Sequence, residues 1–222
     1  ISALGYLSDD DTLFKKYWPA NLHIVGKEIV RFHTIIWPIM LMALDLPLPE
    51  KVFGHGWLVI NGGKISKSLG NYKDPREYID SYGVDAVRYF VLREVPFGSD
   101  GSFSEEALIT RTNGDLANVL GNLVNRTIGM ANKYFDGVIN NTFVNEEIDN
   151  NLINDATQLY SVVDGYMENL EVSKAITCIF DLLRNCNKYI DETMPWILAK
   201  DEAKKDRLAT VLYNLIECIR IS

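Results

Sequence analysis

The chain has 222 residues, a net charge of −8, 47% hydrophobic and 11% aromatic residues, enough apolar material for the core of one large domain or two medium ones. Its longest apolar stretch, Ile35 to Leu48, is interrupted by Pro38, Asp45 and Pro47, which excludes a membrane-spanning helix of about 18 apolar residues. The acidic balance disfavours non-specific nucleic-acid binding through a broad basic surface, and Cys178, Cys186 and Cys218 lack Cys-x-x-Cys spacing or a histidine cluster, so they read as reduced cytoplasmic thiols rather than zinc ligands or a disulfide framework.

The first residue is Ile1, inside an apolar segment reaching Leu7, which predicts a fragment of something longer, with no signal peptide visible. After the acidic turn Ser8 to Asp11, Thr12 to Trp18 forms a short predicted helix stopped by Pro19. Leu22 to Val25 reads as a buried strand ended by Gly26, and Lys27 to Ala43 as a helix with apolar residues at helical spacing and a break before Pro38. Strand, glycine, helix is a Rossmann-type step. The crevice at the carboxyl end of such strands takes ligands, and Gly26, Glu28 and His33 fall near it; a lone histidine on an amphipathic helix is more often structural. Val52 to Ile60 then reads as strands leading into a glycine-rich stretch, with Trp57 in the core.

That stretch, Gly62 to Asn71, is Gly-Gly-Lys-Ile-Ser-Lys-Ser-Leu-Gly-Asn. Glycines bring N–H groups close to an anion, Lys64 and Lys67 supply the charge a polyphosphate needs as its leaving group departs, and Ser66 and Ser68 add neutral donors. The P-loop spacing is absent, so a Walker-type nucleotidase is disfavoured, while an ordinary hairpin turn at Asn61-Gly62-Gly63 followed by surface lysines is the plain alternative. Charge is concentrated here: Lys51, Lys64, Lys67, Lys73 and Arg76 face only Asp74 between 51 and 76.

Asp74-Pro75 predicts a helix start, with Gly83 stopping that helix at Tyr82 and a second running from Val84 to Arg93. Residues 94–103, with Pro96, Gly98 and Gly101, read as a boundary, after which Ser104-Glu105-Glu106 caps a helix. Beyond it the pattern is wholly helical. Leu116, Val119, Leu120, Leu123, Thr127, Ala131 and Tyr134 make one stripe; after a linker at 137–145, helices are predicted from about Glu147 to Asn169, Val172 to Glu192 and Lys200 to Ile221, packed as an antiparallel bundle. Asn122 and Arg126 are i, i+4 neighbours able to offer an amide and a guanidinium to base edges, and an exposed Trp196 would stack on an unstacked base; a solvated face and a core indole are the plain alternatives.

Four strings together resemble methionyl-tRNA synthetases, a family of class I aminoacyl-tRNA synthetases. Lys64 to Ser68 resembles the Lys-Met-Ser-Lys-Ser signature, with Ile65 in the Met position, and Gly26 to His33 the family's Gly-x-Asp-x-x-x-x-His element, with Glu28 where many members carry Asp. Leu120 to Arg126 and Tyr189 to Lys200 resemble two anticodon-domain elements that converge in that fold. The resemblance implies that Lys67 contributes most to the departure of pyrophosphate, with Lys64 supporting it over the ATP triphosphate. It further implies that Glu28 meets the ribose, that His33 lies beside the amino acid, and that Asn122, Arg126 and Trp196 read the anticodon. ATP and Mg2+, methionine and tRNA(Met) are the implied ligands and partners, and translation in the cytoplasm the implied setting.

The implied fold is α/β then all-α: the second half of a Rossmann catalytic domain (1–50), a lysine-loop connecting segment (51–103) and an α-helical anticodon-binding domain (104–222). The family's His-x-Gly-His element is missing, and His23, His33 and His55 do not supply it; its zinc-bearing insertion is missing too. The fragment is therefore expected to be inactive alone in forming methionyl adenylate and to self-associate through apolar surface near Ile1 to Tyr6 and Leu22 to Val25. Two alternatives are another class I synthetase, for leucine, isoleucine or valine, whose usual Gly-x-Asp-Gln-x-x-Gly-Trp wording differs, or for cysteine, and a stand-alone tRNA-binding module with a vestigial lysine loop.

Overall fold

The computed structural model describes residues 1–60, 63–65 and 74–222, with Lys64 described in its backbone alone. The chain enters through a 3-10 turn at Ser2–Leu4 and the helix α1 (Thr12–Tyr17), followed by the strand β1 (His23–Gly26). From there a continuous helical run leads to β2 (Val52–His55), which pairs with β1 in parallel, Val25 opposite Gly54 and Gly26 opposite His55. Parallel neighbours need such a crossover, so the Rossmann-type step is present as a βαβ unit.

That crossover is not broken before Pro38. It opens as a 3-10 turn at Lys27–Ile29, widens to a π-helical turn at Phe32–Ile36 and continues as α2 (Trp37–Ala43), with Trp37 still right-handed at φ −61, ψ −48. Proline lacks an N–H and crowds the carbonyl one turn back; the wider turn makes room for its ring, so the helix swells instead of ending.

After β2 come β3 (Leu58–Ile60) and β4 (Gly63–Lys64), antiparallel with Val59 opposite Lys64. α3 (Pro75–Tyr82) starts where Asp74 accepts the Arg76 N–H at 2.9 Å and stops at Gly83, whose φ of 85 suits a residue without a Cβ. α4 (Val84–Glu94) follows, and then the stretch read as a bare boundary supplies a strand: β5 (Gly101–Ser102) lies parallel to β3, giving the order β4-β3-β5. Phe90, Phe103 and Leu108 bury a small core beneath this sheet.

Ser104 caps α5 (Glu105–Arg111) by accepting the Ala107 N–H at 3.1 Å. The helix passes through a second π-helical stretch, Thr112–Gly121, into α6 (Asn122–Phe135), and the predicted stripe faces the bundle core, with Leu123, Thr127 and Ala131 buried. The bundle is completed by α7 (Glu147–Glu168), α8 (Val172–Thr193), the short α9 (Pro195–Leu198) and α10 (Lys205–Ile221). α10 begins five residues later than the sequence predicts, because Met194 turns left-handed at φ 45, Pro195 opens a separate short helix, and Asp201 caps a 3-10 turn at Glu202–Lys204.

Leu123, Leu183, Ile190, Leu208, Leu212 and Leu215 are essentially fully buried between these helices, each contributing about 1.5–3 kcal/mol. One charged pair lies among them. Arg207 of α10 meets both oxygens of Asp149 in the first turn of α7, at 2.6 and 2.8 Å, while Tyr189 of α8 donates to the same carboxylate at 2.6 Å. Burial pushes the Asp149 carboxyl up, but hydrogen bonds from Arg207, Tyr189 and the Glu146 N–H outweigh it and leave it below its ordinary value.

A second polar joint ties the bundle to α4. Tyr89 donates to Asp115 at 2.6 Å, and Arg111 bridges Asp115 and Glu94 at 3.4 and 2.6 Å. Burial, then the Asp115 contact, pushes the Tyr89 phenol well above its usual range, so it stays a donor. Further out, Lys51 reaches the Glu168 carbonyl at the end of α7 at 3.2 Å. No helix among the described residues is long and apolar enough to cross a membrane.

Candidate functional site

At the carboxyl end of β1 the chain turns at Gly26 into Glu28. A Cβ on Gly26 would lie 2.6 Å from Oε2 of Glu28, so the carboxylate occupies the space that glycine leaves open. The indole of Trp57 donates to the same oxygen at 2.8 Å. Trp57 is thus half-buried with a polar partner, not a core residue as its apolar surroundings in the sequence suggest. Lys27 lies over the indole at 4.3 Å from the ring centre and pairs with Asp100 at 2.6 Å, and Asp100 also accepts the Trp57 backbone N–H at 2.8 Å. The Lys27 contact, then the Trp57 N–H, hold the Asp100 carboxyl below its ordinary value.

His33 sits five residues beyond Glu28, in the widened Phe32–Ile36 turn. Its Nδ1 donates to the Ile29 carbonyl at 2.9 Å, which fixes the plane of the ring. His33 lines a cleft of about 500 Å³ with Trp18, His23, Phe32, Trp37 and Met40, a cleft in which Glu28 takes no part. The His23 and His33 rings stand edge to face at 6.0 Å, and Trp18 and Trp37 at 6.0 Å. Burial, then the neighbouring His33, lowers the His23 pKa and keeps that ring neutral. The floor is therefore largely aromatic, suited to a polarisable apolar side chain. The sequence reading missed Trp18, His23 and Trp37; only the density of aromatic residues around the glycine signalled them.

Of the lysine stretch, the structure gives Lys64 a backbone place in β4 opposite Val59. Ser66, Lys67 and Ser68 lie outside the described residues. β2 ends opposite Gly26, and the chain runs from there through Trp57 and β3 to β4, so the residue that touches Glu28 stands at the head of the hairpin carrying Lys64. No group of three His, Cys, Asp or Glu side chains able to hold a metal occurs among the described residues.

The residues of the second predicted site lie on α6 and α9. Asn122 is exposed at the start of α6, and Arg126 one turn on pairs with Asp191 of α8 at 2.9 Å. Trp196 is 41% exposed, in α9, while its neighbour Pro195 is buried. The indole is thus partly exposed beside a buried proline, and the Arg126 pair joins α6 to α8, the helix that precedes its element.

A family model described as "tRNA synthetases class I (M)" matches residues 1–128. The chain is similar to the methionine–tRNA ligases of Caldanaerobacter subterraneus, 64% identical over 220 residues, and Clostridium acetobutylicum, 60% identical over 220 residues; in each case 99% of this chain and 34% of the relative are covered. The methionine–tRNA ligase of Bacillus subtilis is 56% identical over 223 residues. Among solved structures, Mycobacterium tuberculosis methionyl-tRNA synthetase in complex with methionyl-adenylate superposes with a TM-score of 0.93 at 44% identity, over 99% of this chain and 44% of that one, and its apo form with a TM-score of 0.89 at 41% identity. The chain spans about a third of the length of the curated relatives it matches. Matched by the family's model over more than half its length, the chain belongs to the class I tRNA synthetases of the M type.

Proposed function

We propose that these residues supply the lysine-loop part of the catalytic domain and the anticodon-binding bundle of a methionine–tRNA ligase. The carrying observation is that the chain superposes, nearly over its whole length, on a methionyl-tRNA synthetase bound to methionyl-adenylate. In the proposed reaction the methionine carboxylate attacks the ATP α-phosphorus and pyrophosphate leaves, giving methionyl adenylate; a hydroxyl of the terminal ribose of tRNA(Met) then attacks its carbonyl, taking the aminoacyl group and releasing AMP.

Positioning and electrostatics carry the first step. Lys67, helped by Lys64, neutralises charge growing on the departing pyrophosphate, and Ser66 and Ser68 donate hydrogen bonds to it. Glu28, set over Gly26, accepts from ribose hydroxyls. The aromatic cleft beside His33 takes the thioether side chain, where sulfur–ring contacts favour methionine over a branched aliphatic residue. Mg2+ would accompany the triphosphate, where it would supply further charge neutralisation; among the described residues no group of three or more His, Cys, Asp or Glu side chains is placed to hold a metal by itself. Asn122 and Arg126 hydrogen-bond anticodon bases, and Trp196 stacks on one.

In this reading 1–50 and 51–103 serve the nucleotide and 104–222 the anticodon. The β1–β2 pair crosses the first boundary, and the β3–β5 pair keeps the middle segment together. The cytoplasm is the setting proposed for this reaction. By themselves the 222 residues are inactive in adenylate formation and self-associate through the apolar surface near Ile1 to Tyr6 and Leu22 to Val25, where Ile24 is 52% exposed and Val25 is buried; elution in size exclusion that stays monomeric at every concentration refutes the association.

The test is pyrophosphate exchange by the full-length protein with methionine beside leucine, isoleucine, valine and cysteine. Exchange driven by methionine alone is the expected result, and exchange with another of the five in its place refutes the reading.

A further inference from the structure

We infer that Trp57 is a positioning residue for Glu28 and that Lys27 and Asp100 hold Trp57 in place, an inference that rests on the proposed role of Glu28 toward the ATP ribose. A glutamate has three side-chain torsions, and an exposed one samples many rotamers. Glu28 does not have that freedom. Its Oε2 is fixed by the Trp57 indole at 2.8 Å on one side and the open face of Gly26 on the other.

The indole is fixed in turn. The Lys27 ammonium covers its face at 4.3 Å, and Asp100 receives both that ammonium, at 2.6 and 2.8 Å, and the Trp57 backbone N–H, at 2.8 Å. Asp100 reaches this place because β5 pairs with β3, Leu58 opposite Gly101, and because Gly56 lies so close to Ser99 that a Cβ there would come within 1.8 Å of its carbonyl oxygen. The Lys27 and Asp100 side chains are 43% and 40% exposed, and a pair so exposed adds little stability. Its service is geometric: it sets the plane of a ring whose edge aims a carboxylate.

The arrangement also joins two parts of the site. Glu28 leaves β1, whereas Trp57 opens the β3–β4 hairpin that carries Lys64. The ribose end and the phosphate end of the proposed ATP site therefore share one hydrogen bond.

The experiment uses Trp57→Phe in the full-length protein, which keeps a ring beneath Lys27 and removes the N–H. In pyrophosphate exchange the KM for ATP is expected to rise about tenfold, the effect of one hydrogen bond to a charged group, with the KM for methionine unchanged. With 2′-deoxy-ATP or 3′-deoxy-ATP, whichever lacks the hydroxyl that Glu28 accepts, the difference between the two proteins is expected to fall below about twofold. Asp100→Asn, which retains an acceptor for the Trp57 N–H, is expected to give a smaller rise in the same KM. An unchanged KM for ATP, or an equal rise for ATP, both analogues and methionine, overturns the inference. If the unsubstituted protein fails to exchange with methionine, the proposed function fails separately. The inference is then decided by the Trp57 indole 15N–1H resonance: movement on adding ATP that Glu28→Gln abolishes supports it, and no movement overturns it.

Discussion

Arg126 and Asp191 are 65 residues apart in sequence, yet the Arg126 guanidinium donates to the Asp191 carboxylate at 2.9 Å. The pair clips α6 to the carboxyl-terminal end of α8, from which Met194 and Pro195 turn the chain into the element that presents Trp196. Both groups are substantially exposed, at 38% and 66%, so the contact orients more than it stabilises.

Trp196→Ala is expected to weaken binding of tRNA with a CAU anticodon by about 5- to 150-fold, the equivalent of ~1–3 kcal/mol for one lost stacking platform. Because the side chain is partly exposed, the thermal melt monitored by circular dichroism should hardly move. Titration at fixed salt, beside the same tRNA with one anticodon base changed, checks this. Equal affinity of the unsubstituted bundle for both tRNAs contradicts the anticodon assignment.

Lys67→Ala in the full-length protein should slow methionyl adenylate formation by about 10²–10³-fold, on the scale of one removed transition-state donor. Lys64→Ala should slow it less. Single-turnover kinetics separate the loss in rate from any loss in ATP affinity, and an order reversed between the two lysines refutes the assigned roles.

Asp149→Ala should destabilise the bundle by about 3–5 kcal/mol, because it leaves Arg207 charged and buried without its partner. The paired carboxyl titrates below its unfolded value, so the folded state binds fewer protons than the unfolded one in acid. The stabilisation is complete above the unfolded pKa, near 3.8, and disappears as pH falls through the folded value. Urea melts between pH 7 and 3 should show this slope in the parent and a flatter one in Asp149→Asn.

His23 has the same sign for a different reason. Burial and the adjacent His33 lower its pKa from 6.5, so the folded state keeps it neutral while the unfolded chain takes up a proton. The contribution is whole above about pH 6.5 and is lost as pH falls through the folded value. His23→Gln should flatten that part of the stability profile, and an unchanged profile means the ring does not titrate in a buried setting.

Signals confined to a few neighbouring residues were legible in advance. Asp74-Pro75, Gly83 and Ser104 each act on backbone groups within one turn, and the stripe from Leu116 to Tyr134 needs only helical periodicity. The two-residue strand β5 is defined by a partner 43 residues away in sequence and has no pattern of its own. The same holds for the hydrogen bond from Trp57 to Glu28, the cleft joining Trp18, His23 and His33, and the Asp149–Arg207 pair: each is made by chain closure, which local spacing does not record. The swelling at Phe32–Ile36 illustrates a different limit, since Pro38 signals an obstacle to a regular helix without saying whether the helix ends or widens. The lysines that made the proposed chemistry most readable include Lys67, outside the described residues.

The Asp149–Arg207 pair also sets a timetable for synthesis. α7 and α8 leave the ribosome before Arg207 does, and in that interval the acid that will lie at the centre of the bundle has no counter-charge. An ionised carboxylate resists dehydration, so burying the first turn of α7 against α8 costs more before α10 is present than after it, and the full stability of the bundle is reached only with its last helix.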